Sequence, residues 1–179
     1  MAEAFINQVN RAVGIVTSSS NASIGEGLTS MSGISTAHVA INDLVDNANF
    51  IAGTKVTLVG VSSVQLDRAS TNTVAATASN VSFLGPTTSY SSASATKSIL
   101  IGGTFANNTA NSVNLTVTVY DNSATTESQL AAKIPVPTGS SFVISDAGKT
   151  VLEGDDEVRV YCDTENAIDV NLSILKGVS

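Results

Sequence analysis

The chain has 179 residues, 42% of them hydrophobic, with a mean hydropathy of +0.24, which is apolar material for one sizeable core or two small ones. A formal charge of −7 and a pI near 4.4 exclude the dense Lys/Arg surface that phosphate binding needs, so nucleic acid is not an expected partner. Only 13% of residues are charged and 4% aromatic, while Ser, Thr, Asn, Val and Ala are abundant, a balance that favours β structure with uncharged polar outer faces.

The opening MAEAFINQVNRAVG carries an acid at Glu3 and no continuous apolar stretch, so it does not read as a signal peptide. No later apolar run is long enough to span a bilayer, and the expectation is a chain made in a cytoplasm with no membrane partner. Residues 4–16 are ambiguous: Phe5, Ile6, Val9 and Val13 suit a helical turn, whereas Val13 to Thr17 reads as a strand. The expectation is a short arm over residues 1–10 that becomes a strand. Ser18, Ser19, Ser20 and Asn21, followed by Gly25 and Gly27, form a cluster of turn residues that marks a boundary.

From Leu28 to Gly85 short apolar pieces alternate with small polar residues. Residues 55–59 and 63–67 predict two strands joined across Gly60, and residues 73–83 hold a further strand ending at Val81 and Phe83. Gly85, Pro86 and the polar run 87–96 mark a second boundary. There is room between the two boundaries for a small β-module.

Beyond that boundary the strands are regular. Residues 98–105 are interrupted by Gly102 and Gly103, a bend or bulge. In SVNLTVTVY, residues 112–120, Val113, Leu115, Val117 and Val119 share one face and Asn114, Thr116, Thr118 and Tyr120 the other. Strands follow at 129–134, 141–145, 149–152, 157–163 and 167–175, the last pointing Ile168, Val170, Leu172 and Ile174 inward. Turn signals separate them, among them Asp146-Ala147-Gly148 and Gly154-Asp155. No segment between strands is long enough for a crossover helix, so the fold class is all-β: an antiparallel β-sandwich or jelly-roll. Cys162, the only cysteine, alternates with Val158 and Val160 and is expected to be buried and inert.

Residues 98–175 carry Phe105-Ala106-Asn107-Asn108-Thr109, the alternating strand, Ile134-Pro135-Val136-Pro137-Thr138-Gly139 and Val151-Leu152-Glu153-Gly154-Asp155. This run resembles a family of small β-sandwich virion proteins of tailed, cyanophage-type bacteriophages. In that family a short N-terminal strand leads almost directly into the segment that begins here near Thr96, and this chain departs from it by the residues between Thr17 and Tyr90; the resemblance thus implies a host β-sandwich of residues 1–17 and 90–179 with a small inserted β-module over 18–89. The inserted piece, with Asp46-Asn47-Ala48-Asn49-Phe50-Ile51-Ala52-Gly53-Thr54, then Val64-Gln65-Leu66-Asp67, resembles a β-module of phage fibres and surface proteins. The resemblance implies a virion structural subunit, decorating the capsid or attached at the neck or tail. Its partners would be other virion proteins and copies of itself, as a homo-oligomer. In such assemblies an arm like residues 1–10 reaches a neighbour, and Phe5 and Ile6 would be its anchors, with a disordered terminus as the equal alternative. A receptor- or glycan-binding fibre component is the alternative.

No residue pattern points to an enzyme, a cofactor or a metal. Glu153, Asp155, Asp156 and Glu157 lack a calcium-loop spacing and read as a solvated hairpin turn in which Gly154 supplies the backbone angle. His38 is the only histidine, no serine lies in a nucleophile-elbow motif, and Gly25-Glu26-Gly27 lacks the Lys-Ser/Thr of a phosphate loop. Tyr90, Tyr120 and Tyr161 are too separated to form a sugar platform, and the Asn-x-Ser/Thr triplets reflect composition. The candidate interaction residues are Phe5, Ile6, Asn114, Thr116 and Thr118, the last three because the strand's outer face is uncharged.

Overall fold

A computed structural model describes residues 3–11, 13–145 and 149–178. The expected turn at 146–148 and the first two residues of the expected arm lie outside them. The described chain is all-β, with antiparallel pairing throughout, and divides into two units. One comprises Met1–Val13, Pro86–Cys162 and Asn166–Ser179; the other comprises Gly14–Gly85 with Asp163–Glu165.

The first unit contains β1 (Ala4–Asn10), β8 (Thr87–Ser91), β9 (Lys97–Asn107), β10 (Val113–Asp121), β11 (Thr126–Val136), β12 (Ser141–Ile144), β13 (Thr150–Leu152), β14 (Glu157–Cys162) and β15 (Ile168–Val178). They form two sheets, β1-β15-β9-β12 with β13 also on β9, and β11-β10-β14-β8. Take these strands alone in chain order, with β12 and β13 as one interrupted strand. The first sheet then runs first, eighth, third, sixth, and the second runs fifth, fourth, seventh, second. That is jelly-roll order, in which the outgoing half of the chain is paired along its length with the returning half and the double ribbon is wrapped into two sheets. In chain order the inserted unit lies between β1 and β8, and the three-residue piece Asp163–Glu165 counted with it lies between β14 and β15.

The sandwich core follows from alternation. Ile168, Val170, Leu172 and Ile174 of β15 are buried with Leu100 and Phe105 of β9, Val113, Leu115 and Val117 of β10, and Val158, Val160 and Cys162 of β14. Each such aliphatic side chain contributes about 1.5–3 kcal/mol on full burial. Gly103 sits in close packing: a Cβ there would stand 2.9 Å from Leu172 Cδ2 and 3.1 Å from the Phe105 ring. Ile101 is the extra residue of a bulge, because the β9–β15 register jumps from Gly102 opposite Ser173 to Leu100 opposite Ile174.

The second unit contains β2 (Ile15–Ile24), β3 (Ser30–Ser32), β4 (Leu44–Asp46), β5 (Val56–Val59), β6 (Ser63–Leu66) and β7 (Ala76–Leu84), in the sheet order β4-β7-β2-β3-β6-β5. The end strands are linked by one isolated bridge, Leu44 to Lys55, and not by a ladder. The curl buries Ala22, Ile24, Met31, Val56, Val64, Leu66, Val81 and Phe83. The expected hairpin across Gly60 is β5–β6, paired through Val59 and Val64.

Several sequence expectations are corrected. Residues 4–10 are not an arm but β1, paired with β15 from Ala4–Lys176 to Asn10–Val170. The strand after Val13 does not close the sandwich: β2 pairs with β7, Ile15 opposite Leu84. Ser18 to Asn21 are strand residues of β2, and Thr87 to Ser91 form β8 on β14, not linkers. The unit junctions accordingly fall at Val13/Gly14 and Gly85/Pro86 in place of 17/18 and 89/90.

Candidate interaction surface

The outer face of the β1-β15-β9 sheet carries an apolar row in register across four strands. Phe5 of β1 lies opposite Leu175 of β15, Leu175 opposite Ile99 of β9, and Ile99 opposite Val151 of β13. Phe5 is 75% and Val151 55% exposed, with Leu175 and Ile99 half-buried between them. A parallel row runs Val9, Asn171, Thr104 and Val143, with Val9 61% exposed. Between the rows Asn7 faces Ser173, whose hydroxyl is 3.4 Å from Asn7 Oδ1. None of the residues in these two rows is charged, so the rows themselves can be covered without stripping ions of water; the charged groups of the same face, Glu3, Arg11 and its partner Asp169, flank them. Its exposed apolar members, Phe5, Val9, Val143 and Val151, make this face the candidate interaction surface.

Ile6 is on the opposite side of β1, packed against the sandwich core with Ile174 directly across, so it is not available to a neighbour. Period two dictates this, because adjacent strand residues cannot share a face.

Thr116 and Thr118 are also corrected. They are 2% and 3% exposed, because β10 is a central strand of its sheet and longer side chains on both neighbours cover its outer face. Thr118 Oγ1 donates to Glu127 Oε1 at 2.6 Å, the backbone N–H of Lys133 donates to Thr116 Oγ1 at 3.2 Å, and the Arg159 guanidinium sits 3.9 Å from the centroid of the Tyr120 ring. Asn114 alone of the three is exposed.

The acidic cluster is engaged in the fold. Asp156 is buried and accepts from the N–H groups of Glu153 at 2.8 Å and Asn122 at 3.0 Å. Glu157 accepts from Thr88 Oγ1 at 2.6 Å and Arg159 Nε at 2.7 Å, and Glu153 pairs with Lys97 at 3.0 Å. The positive φ of the turn belongs to Asp155 (67°), not to Gly154, whose Cβ would instead meet the Ala95 backbone nitrogen at 2.8 Å. Among the described residues no group of three or more His, Cys, Asp or Glu side chains is placed to hold a metal. His38 is exposed in a turn, Tyr90 is buried with its hydroxyl 2.8 Å from Ser98 Oγ, and Cys162 is buried.

The second unit has a shallow groove of about 400 Å³ lined by Ser18, Ser19, Ser20, Asn80, Val81, Ser82 and Glu165. It lies where the β2–β7 register shifts between Ser19 and Ala22, so a bulge shapes its floor. Ser18 Oγ and Ser82 Oγ are 3.0 Å apart, Ser82 Oγ donates to Glu165 Oε2, and the N–H of Glu165 donates to Asp46 Oδ2 at 2.8 Å.

Leu175, Ile99 and Val151 were not singled out by sequence. A signal existed: Ile99-Leu100-Ile101 is apolar at consecutive positions, which a strand with one wet face does not require.

No family model, no curated protein and no solved structure matches the chain. Among the described residues no helix is long and apolar enough to cross a membrane.

Proposed function

We propose that the chain is a structural subunit of a tailed-phage virion, a capsid-decorating or neck/tail accessory protein that acts by docking on other virion proteins and not by catalysis. The observation that carries this reading is the cross-strand row of apolar residues Phe5, Leu175, Ile99 and Val151. A jelly-roll displays such a face on a rigid hydrogen-bonded frame, which suits a subunit repeated many times on a particle. Asp156 and Glu127 serve here as a turn cap and a sheet-face hydrogen-bond acceptor.

The test adds purified chain to particles that lack it. The wild type binds to saturation; the double variant Phe5→Asp, Val151→Asp keeps its circular dichroism and does not bind. Absence of wild-type binding, with retention on host cells or glycans, overturns the reading.

The groove supports a second reading, a receptor- or glycan-binding fibre component. Its serine hydroxyls, the Asn80 amide and the Glu165 carboxylate are groups that hydrogen-bond sugar hydroxyls. Under it, Asn80→Ala abolishes glycan retention, while the Phe5, Val151 double variant leaves it intact.

A further inference from the structure

The sandwich has four sheet edges, and three of them are blunted. β12 and β13 are only 4 and 3 residues long; β8 follows Pro86 and has a register shift; β11 carries Glu127, Lys133 and Pro135 and two register shifts. These are the devices by which proteins keep exposed edges from pairing with another chain. β1 has none of them. Its 7 residues, AFINQVN, contain no charge and no proline, and its ladder to β15 runs without a break.

The sequence around β1 is also complementary to itself. Placed antiparallel to a second copy with Asn7 opposite Asn7, it sets Phe5 against Val9, Ile6 against Gln8, Ala4 against Asn10, and, just beyond the strand, Glu3 against Arg11. Glu3, Phe5, Asn7, Val9 and Arg11 fall on the same, outer face, so the pairs meet side by side. Glu3 is exposed, and the Arg11 side chain is 82% exposed, 3.7 Å from Asp169 of its own chain, leaving the guanidinium open to a second carboxylate. No like charges are opposed anywhere in this register.

We infer that two copies of the chain associate through β1, edge to edge and antiparallel about a two-fold axis at Asn7, joining their sheets into one with Glu3 of each chain paired to Arg11 of the other. A two-fold interface requires such self-complementarity, and a seven-residue strand supplies the backbone hydrogen bonds. The pairing also runs the apolar row onward, Phe5 of one copy meeting Val9 of the next. It concerns the chain with itself and is tested separately from docking on virion proteins.

Sedimentation velocity and cysteine cross-linking test it on the full chain. Directly opposed residues have Cα atoms about 4.5–5.5 Å apart, inside the disulfide range of about 4.4–6.8 Å. The wild type should sediment as a dimer. Asn7→Cys should oxidise to a covalent dimer, while Phe5→Cys and Val9→Cys should cross-link only when mixed. Glu3→Arg and Arg11→Glu should each weaken the dimer alone, by opposing like charges, and regain it on mixing. A monomeric wild type, an Asn7→Cys chain that does not cross-link, or single charge variants that fail to complement one another would overturn the inference.

Discussion

Asp156 Oδ1 accepts the backbone N–H of Asn122 at 3.0 Å while Oδ2 accepts that of Glu153 at 2.8 Å, so one buried carboxylate ties the β10–β11 turn to the β13–β14 turn. The side chain that looks most like a metal ligand in the sequence is thus a double cap. Asp156→Ala leaves two N–H groups unsatisfied and should cost about 1–3 kcal/mol per group lost from burial. Denaturant melts check this; a variant as stable as the wild type would show that water replaces the carboxylate.

Glu157 responds to acid. Burial works to raise its pKa, but the hydrogen bonds from Thr88 and Arg159 and the charge of Arg159 outweigh it, and the net shift is downward. A carboxyl held below its unfolded value of about 4.3 stabilises the fold above that pH, and the contribution is lost as pH falls through the folded pKa. Glu157→Gln should therefore lower stability at neutral pH and flatten the acid limb of a stability–pH curve. An unchanged limb would contradict the assignment.

Asp43 in the inserted unit works in the opposite sense. Burial pushes its carboxyl up, against the N–H of Ala40 that donates to Oδ2 at 2.7 Å. A raised folded pKa means that the ionised form is disfavoured in the fold; the penalty is present at neutral pH and disappears as pH falls through the folded pKa towards the unfolded value. Asp43→Asn should slow amide exchange at Val56, whose N–H binds the Asp43 carbonyl at 2.9 Å, with the gain vanishing in acid. Equal exchange in the two proteins at neutral pH would remove the claim.

Replacing residues 14–85 by a short Gly/Ser linker leaves every strand of the jelly-roll, since β1 precedes the insertion and β8 follows it. The shortened chain should unfold cooperatively and keep slow exchange at Leu172 and Ile174. Loss of a cooperative transition would show that the sandwich does not fold without the inserted unit.

Much of the fold was legible because one face is buried and the other is not. Ile168, Val170, Leu172 and Ile174 alternate without interruption and all four are core residues of β15. Ser18 to Asn21 and Thr87 to Ser91 escaped because Ser and Thr signal turns locally, whereas here pairing with β7 and β14 decides. Thr116 and Thr118 show the limit of alternation: it separates the two faces of a strand, but whether the second face is wet depends on Glu127 of the next strand and on Arg159, 41 residues on from Thr118, which meet it only after folding. The apolar row was hidden for the same reason, its members lying on four strands that come into register only in the sheet.

The most direct test of the account is a particle reconstruction at side-chain resolution. The account predicts the chain on the virion with Phe5, Leu175, Ile99 and Val151 buried against another virion protein. Particles without the chain, or a bound chain that turns this face to solvent, would contradict it.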